Sequence, residues 1–412
     1  MSLGPATLTR VDRVEALAGW FERVAAPEWR WIIKRLSAND TGATGAHQVG
    51  IYVPRDFALS AFPALTAKEL NPRVPLRYEL TSHDQTANPN LIYYNNRPIA
   101  GGTRDEARIT GFGGSASSLQ DAENTGAIVL FALRATPTGG ELVAWLSSSL
   151  EEDDDIETRV GPLVPGAVLL REPGPRGVAT LTEIAPHVQG DCACDLAATE
   201  LPPGWSTGYP SGESLRDEAV RRCRADGQSP DIRLLQRHRC EHALYKSIES
   251  AIETRRVAAG FPDLETFMSL AHTIANRRKS RAGRSLELQV ERILEEESIG
   301  FERGAPDEDG NRLDFVFPSG SAYKDAASGD PSVHFLSAKR TLKERWSQVL
   351  KEGKKVPTRH LLTLDEGVSE GQFALMQRAG LQLVVPAPNV AKFPPNIRTR
   401  LLTFEGFLAR VR

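Results

Sequence analysis

The sequence predicts a two-domain chain: a mostly-β N-terminal domain over 1–175, a linker over 176–212 and an α/β domain over 213–412. Three observations predict it. The 412 residues exceed what a single hydrophobic core ordinarily serves. Short apolar runs punctuated by Gly, Asn and Pro fill the first part: HQVGIYVP at 47–54, AIVLFAL at 127–133 and ELVAWL at 141–146. Their lengths and turns suit a small barrel or sandwich. In the last part, strands near 313–317, 334–339, 359–364 and 381–386 alternate with helical segments near 342–352 and 369–379. That alternation marks a sheet with helices packed on its faces.

Taken in order, the chain opens with an amphipathic helix over 14–26 (VEALAGWFERVAA). The acidic run EEDDD at 151–155 is expected to form a solvated turn. Two Gly-rich segments, 34–54 and 93–114, carry Arg, Asn, His and Tyr, side chains suited to backbone phosphates and base edges. Neither ends in GK[ST], so a nucleotide P-loop is not expected. A structural alternative for the second segment is a hairpin whose Arg104, Glu106 and Arg108 alternate on one exposed face and pair with each other. From about 168 to 215, LREPGPRG and LPPGWSTGYPSGES have the Pro and Gly density of a connection. Helical pattern resumes with DEAVRRCRAD and HALYKSIESAIETRRVAAGF. The basic run RRKSRAGR (277–284) then precedes a helix bearing Glu287, with Leu286, Val290, Ile293 and Leu294 as its buried stripe.

Composition narrows the function class. Hydrophobic residues make up 40% and charged residues 25%, as in ordinary globular chains, and the net charge of -3 leaves any basic surface to local segregation. The four cysteines, Cys192, Cys194, Cys223 and Cys240, are too few and too irregularly spaced for a disulfide framework, which fits a reducing cytoplasm. A zinc site at Cys192 and Cys194 with His187 is set aside because Cys-x-Cys lacks the two-residue knuckle spacing and no second pair follows. With no long apolar run, no signal-peptide core and no repeat of fixed period, a soluble intracellular protein is expected.

The chemistry concentrates between Asp314 and Glu352. In LDFVF (313–317), Leu313, Phe315 and Phe317 alternate with Asp314 and Val316, as in a strand with one buried face. HFLSAK (334–339) is a second strand that hands over to a helix carrying Leu342, Trp346, Val349 and Leu350 at helical spacing. An acid on one strand, Lys339 ending the next, and Lys343, Glu344 and Arg345 beyond it point to metal-assisted phosphodiester hydrolysis. Carboxylates hold a hard divalent cation, and an ammonium steadies the attacking water and the developing charge. The common arrangement is PD followed by (D/E)xK. Here Leu313 stands for the proline and Ser337 for the second acid, and Glu352 is the nearest downstream acid besides Glu344.

RRKSRAGRSLE (277–287), Asp314, SAKRTLKERWSQVL (337–350), HLLTLDEGVS (360–369) and LVVPA (383–387) together resemble the catalytic domain of EcoRII-type, or type IIE, restriction endonucleases. The resemblance implies a PD-(D/E)xK fold in which the second acid has moved to the following helix. Asp314 and Glu352 are then metal ligands, Lys339 the catalytic lysine and Glu287 an auxiliary acid, with Mg2+ as cofactor. It also implies that Lys343, Glu344 and Arg345 read the half-site, and that Arg237, His238 and His242, in QRHRCEH (236–242), stack on extruded central bases; His238 and His242 stand where the family has Arg and Tyr, and an ordinary helix surface is the alternative there. RLSANDTGATG, HQVG, IYYN, TRDEARIT, LQDAENTGA and LVPGA (163–167) resemble the effector domain of the same family, a B3-like pseudobarrel. That likeness implies His47, Tyr52, Arg104, Glu106 and Arg108 as readers of a second DNA site. Gly102 and Ala107 stand where the family has lysines, which implies fewer phosphate contacts.

The expectation is thus a Mg2+-dependent, homodimeric type II restriction endonuclease cutting double-stranded DNA at a CC…GG site (CCWGG-like). Its N-terminal domain binds another copy of the site as allosteric effector and autoinhibitor, and a companion DNA cytosine methyltransferase is expected. Two alternatives stand beside it: a non-catalytic sequence-specific DNA-binding protein with a decayed nuclease domain, and a repair or junction nuclease indifferent to Glu344.

Overall fold

The structure, a computed structural model, describes residues 10–45, 50–173, 179–184, 192–225, 227–343 and 345–412, with side chains left undescribed at 10–12 and 179–182. His47, His187 and Glu344 lie outside the described residues. The chain forms two compact units. The first comprises Met1–Ile156, Leu163–Ala185 and Glu366–Glu370, and the second Glu157–Pro162, Pro186–Asp365 and Gly371–Arg412.

Ten strands build the first unit: β1 (Arg30–Arg35), β2 (Ile51–Val53), β3 (Arg73–Leu80), β4 (Gln85–Ala87), β5 (Asn90–Tyr94), β6 (Glu106–Thr110), β7 (Ile128–Thr136), β8 (Gly139–Leu146), β9 (Val168–Pro173) and β10 (Ala179–Ile184). They run β10-β9-β1-β7-β8-β3-β5-β6-β2, with β4 beside β3. Strands from β9 at one side to β2 at the other send Leu170, Ile32, Phe131, Ala144, Tyr78, Leu91, Ile109 and Val53 into one core, so the sheet wraps a shared interior. Removing such side chains from water supplies the main stabilisation, roughly 1.5–3 kcal/mol for each large one. β3 and β8 pair in parallel, Leu76 opposite Gly140. Glycine is required there, since a Cβ on Gly140 would stand 2.7 Å from both Leu76 and Phe62.

Two expectations fail in this unit. Part of the stretch expected as a connection, from 168 onward, is β9 and β10, paired with each other and, through β9, with β1. The acids at 151–155 form no solvated turn but the start of helix Leu150–Val160. Glu152 and Asp153 are buried and accept from Arg13 (2.5 Å) and Arg35 (2.7 Å). Acids suit a helix N-terminus, where the backbone dipole is positive, and each buried carboxylate has an arginine partner.

In the second unit, β11 (Glu302–Arg303), β12 (Phe315–Phe317), β13 (His334–Lys339), β14 (Arg359–Thr363) and β15 (Leu381–Val384) follow one another across a five-stranded sheet. β11, β12 and β13 are antiparallel neighbours, and β13, β14 and β15 are parallel. All three β12 residues are buried, so the one-faced strand expected from alternation is covered on both sides. Leu286, Val290, Ile293 and Leu294, the expected stripe, pack with Phe404 and Phe407 against Phe315, Phe317 and Leu336. Their helix, Leu264–Glu296, is longer than expected and contains the basic run instead of following it. Arg277 and Arg278 pair there with Glu253 and Glu249 of helix Pro230–Ala259, at 3.1 and 2.6 Å. Asp231, fully buried, accepts from the amides of Ala387, Phe404 and Glu405 and so pins the C-terminal helix Phe404–Val411.

The cysteine expectation is corrected as well. Cys192 pairs with Cys223 and Cys194 with Cys240. The partners lie 31 and 46 residues apart and tie the irregular segment at 192–194 to two different helices, a convergence that linear spacing does not reveal. Among the described residues, no helix is long and apolar enough to cross a membrane.

Candidate active site

β12 and β13 are antiparallel, with Phe315 opposite Leu336, which brings Asp314 beside the C-terminal half of β13. Three donors converge on one oxygen of Asp314: Ser337 Oγ at 2.8 Å, the Ala338 amide at 2.9 Å and Lys339 Nζ at 2.9 Å, all to Oδ2. Both charged side chains are largely sheltered, at 13% exposure for Asp314 and 21% for Lys339, so the pair acts at reduced solvent screening. Ser337 occupies the position of the missing second acid and is wholly buried. It fixes the aspartate instead of adding a ligand.

The chain then turns back through a helix of only five residues, Arg345–Val349, shorter than the 342–352 segment expected. Glu352 therefore lies beyond the helix. It follows the helix in a turn, its amide donating to the Val349 carbonyl (3.1 Å) and its carbonyl accepting from Arg359 (2.8 Å). Gly353 closes that turn at φ 57°, and a Cβ there would stand 2.7 Å from the Phe335 ring. Glu352 Oε2 is buried without a hydrogen-bond partner. Burial raises its carboxyl above the ordinary range, with Lys339 pulling it down and Asp314 and Asp307 pushing it up. The residue thus feels both members of the Asp314–Lys339 pair. An orphaned carboxylate oxygen facing a lysine and a second carboxylate is a donor set suited to a hard cation.

The other expected residues are placed differently. Glu287 lies on helix Leu264–Glu296 and is taken up by Arg303 at 2.5 Å; Glu291 shares that arginine at 3.1 Å. Lys343 and Arg345 are half-buried just beyond Lys339, in a stretch anchored by the Leu342 amide donating to Asp365 at 2.5 Å. Arg237 is 3% exposed, its guanidinium directed to the carbonyls of Cys223 and Arg224 and to Glu296. His238 is buried, and burial pushes it down to about 3, so it is neutral at physiological pH. His242, one turn on, is half-buried. Arg237 and His238 therefore sit in the interior, away from any surface on which a base stacks.

In the first unit, Tyr52 on β2 is opposite Arg108 on β6 and 39% exposed. Arg104 and Arg108 both donate to Glu106, at 2.9 and 3.1 Å, the pairing expected of the structural alternative. Burial pushes the Glu106 carboxyl up, but the bonds from Arg108 and Arg104 outweigh it and the net direction is down. Arg104 also lies over the Tyr94 ring at 3.8 Å. Sequence reasoning missed the neighbouring node at Asp105, which accepts from Tyr93 (2.8 Å), Arg97 (2.6 Å) and Arg55 (3.0 Å). Only the density of arginines in 93–114 hinted at it. Ala107 is fully buried opposite Val53, so its side chain has no access to phosphate.

Comparison with known proteins shows the family. A family model described as EcoRII C terminal matches residues 245–408, and one described as restriction endonuclease EcoRII, N-terminal, matches residues 25–175. The type II restriction enzyme EcoRII of Escherichia coli is 36% identical over 402 residues, 95% of this chain and 96% of that protein. The type II restriction enzyme SsoII of Shigella sonnei is 30% identical over 149 residues, 34% of this chain and 48% of its own length. A solved structure of metal-depleted Ecl18kI with uncleaved, modified DNA aligns at 21% identity and a TM-score of 0.42, over 49% of this chain and 78% of that one. The protein is a DNA-binding type II site-specific deoxyribonuclease. Within that class the chain belongs to the EcoRII family of restriction endonucleases. This membership sets aside the non-catalytic alternative, whose support was Ser337 and Leu313 in place of the second acid and the proline.

Proposed function

We propose that the protein cuts duplex DNA at a short CC…GG-type site, CCWGG-like, in a Mg2+-dependent reaction. It acts as a homodimer, because a two-fold protein matches a two-fold site. The domain over 213–412, of restriction-endonuclease-like PD-(D/E)xK fold, carries the cleavage. The B3-like pseudobarrel over 1–175 holds a second copy of the site as allosteric effector and autoinhibitor, and 176–212 links the two. The cell also holds a DNA cytosine methyltransferase acting on the same site, and the enzyme works in the cytoplasm.

One observation carries the cleavage reading. All three bonds to Asp314 fall on Oδ2, while Glu352 keeps a buried oxygen unpartnered. Asp314 and Glu352 thereby supply the carboxylate oxygens that would hold the cation. Restriction endonucleases related to this chain generally use a divalent metal, and such an ion neutralises the non-bridging phosphate oxygens and acidifies the attacking water. Lys339, whose ammonium already leans on Asp314, orients the water and offsets charge on the phosphorane-like transition state. Ser337 and the Ala338 amide hold the aspartate in one rotamer, so the lysine and the carboxylate keep their spacing before substrate arrives. Glu287 serves as the auxiliary acid once Arg303 releases it.

Lys343, Glu344 and Arg345 read the half-site, while Arg237, His238 and His242 serve the central bases only after the helix surface around them opens. His47, Tyr52, Arg104, Glu106 and Arg108 grip the effector site, with the arginines exchanging Glu106 for phosphate or base edges. Sequencing the ends of fragments from one digested genome tests this reading. It predicts a single CC…GG consensus at every end. Ends without a consensus, or ends gathered at branched structures, contradict it.

A further inference from the structure

The four cysteines gather in one place in the second unit. Cys192 and Cys194 lie on an irregular segment, Cys223 caps helix Gly212–Arg222, and Cys240 projects from helix Pro230–Ala259. Although Cys223 belongs to one disulfide pair and Cys194 and Cys240 to the other, the sulfurs of these three lie within 4.8 Å of one another. Two bridges therefore share one small volume. The three are at most 3% exposed, and Cys192 is half-buried beside them.

We propose that these four side chains form a structural zinc site. Four thiolates around Zn2+ at about 2.3 Å place the sulfurs roughly 3.8 Å apart; those of Cys194, Cys223 and Cys240 lie within 4.8 Å of one another, and Cys192 adjoins Cys223. The set is closed: four soft ligands leave no position for water or substrate, as in structural rather than catalytic zinc centres. In a reducing cytoplasm, the location proposed above, small-molecule thiols open the two bridges by exchange, giving two electrons and two protons per disulfide and becoming disulfides themselves, and leave four thiols ready to bind. Binding transfers no electrons. Each Cys S–H bond gives its proton to solvent and a Zn–S bond takes its place, so no oxidant is needed.

The backbone around the cluster is held as a metal-bearing loop requires. Arg222 donates to the Ala193 carbonyl (3.4 Å), within the Cys-x-Cys segment. Arg237 donates to the carbonyls of Cys223 and Arg224, at 3.3 and 3.2 Å. Both arginines are also ion-paired, Arg222 with Glu218 and Arg237 with Glu296, so what they give the cluster is a fixed backbone. This gives Arg237 a positioning role in the apo fold. The centre would clamp the segment before residue 196 onto the two helices that begin the second unit, where Leu201, Leu215, Leu244 and Ile248 pack beside it.

The test uses the full chain purified under reducing conditions without chelator. Its zinc content is measured by inductively coupled plasma mass spectrometry. We expect one zinc per chain, released to the dye 4-(2-pyridylazo)resorcinol when an organomercurial blocks the thiols. Apoprotein reconstituted with Co2+ should show thiolate-to-cobalt charge-transfer absorption. Cys192→Ser, the least buried of the four, should lower zinc occupancy while keeping the circular dichroism of the wild type. Zinc far below one per chain overturns the proposal, whether mass spectrometry then finds two intact disulfides or thiol titration finds four free thiols. Neither result bears on DNA cleavage, so this proposal and the nuclease reading fail separately.

Discussion

Lys339 places its ammonium 2.9 Å from Asp314 at the end of a rigid strand. Lys339→Ala should leave folding and DNA binding intact and lower the cleavage rate by about 10²–10³-fold, the usual loss for one well-placed electrostatic donor; single-turnover cleavage checks it. Glu352 gives a prediction with a sign. Its carboxyl is raised by burial, so the folded state holds the proton more tightly than the unfolded one. That contribution is fully present below the unfolded carboxylate range and is lost as pH rises through the raised folded value. Above that raised value the ionised residue is therefore a liability without cation. Glu352→Gln should raise the melting temperature of the metal-free protein at pH 8, change it little at pH 4, and abolish the Mg2+-induced rise seen in wild type. A fall at pH 8, or an undiminished Mg2+ response, contradicts this. In the first unit, Arg104→Ala should flatten the dependence of log K on log salt by about one unit if Arg104 reaches phosphate. Asp314 and Lys339 were legible in the sequence because a period-two run ended in each neighbourhood. The service of Ser337 was not, since a hydroxyl that fixes a carboxylate has no spacing of its own.

Among the elements, β13 was legible over its full span, His334–Lys339, because apolar residues run up to a lysine and the period then changes. The short helix behind it was not, because Gly353 and the turn at Glu352 answer to the Phe335 ring, a contact that local pattern does not encode. Gly353→Ala should destabilise by about 1–2 kcal/mol, the cost of a left-handed conformation for an L residue, and lower cleavage further by displacing Glu352. Helix Pro230–Ala259 is buried on several faces, so no polar stripe told which way Arg237 and His238 point. Its Glu241 is buried and pushed up to about 7, first by desolvation, against the bond from Gln289 at 2.6 Å. The stability it contributes is present below the unfolded value and lost as pH climbs through about 7. Glu241→Gln should therefore stabilise at pH 8 by on the order of 1–3 kcal/mol and be near neutral at pH 4. Urea titrations at the two pH values measure the difference.

For the whole molecule, two units were foreseen from length and from the change of period between the halves, and each has its own core. What escaped were features made by residues far apart in the chain: β9 and β10 closing onto β1, the buried acids at 152 and 153, and the meeting of four cysteines. The family relationship covers nearly the full length of this chain, so both units belong to one restriction endonuclease. The central claim is that an aspartate, a lysine and a buried glutamate perform the cut. It is tested most directly by incubating supercoiled plasmid bearing CC…GG sites with wild type and with Lys339→Ala, each with Mg2+ and with EDTA. We predict linear product from wild type with Mg2+ alone, and intact supercoils from the other three mixtures while the variant still shifts the DNA in gels. Cleavage by Lys339→Ala at the wild-type rate would contradict the account.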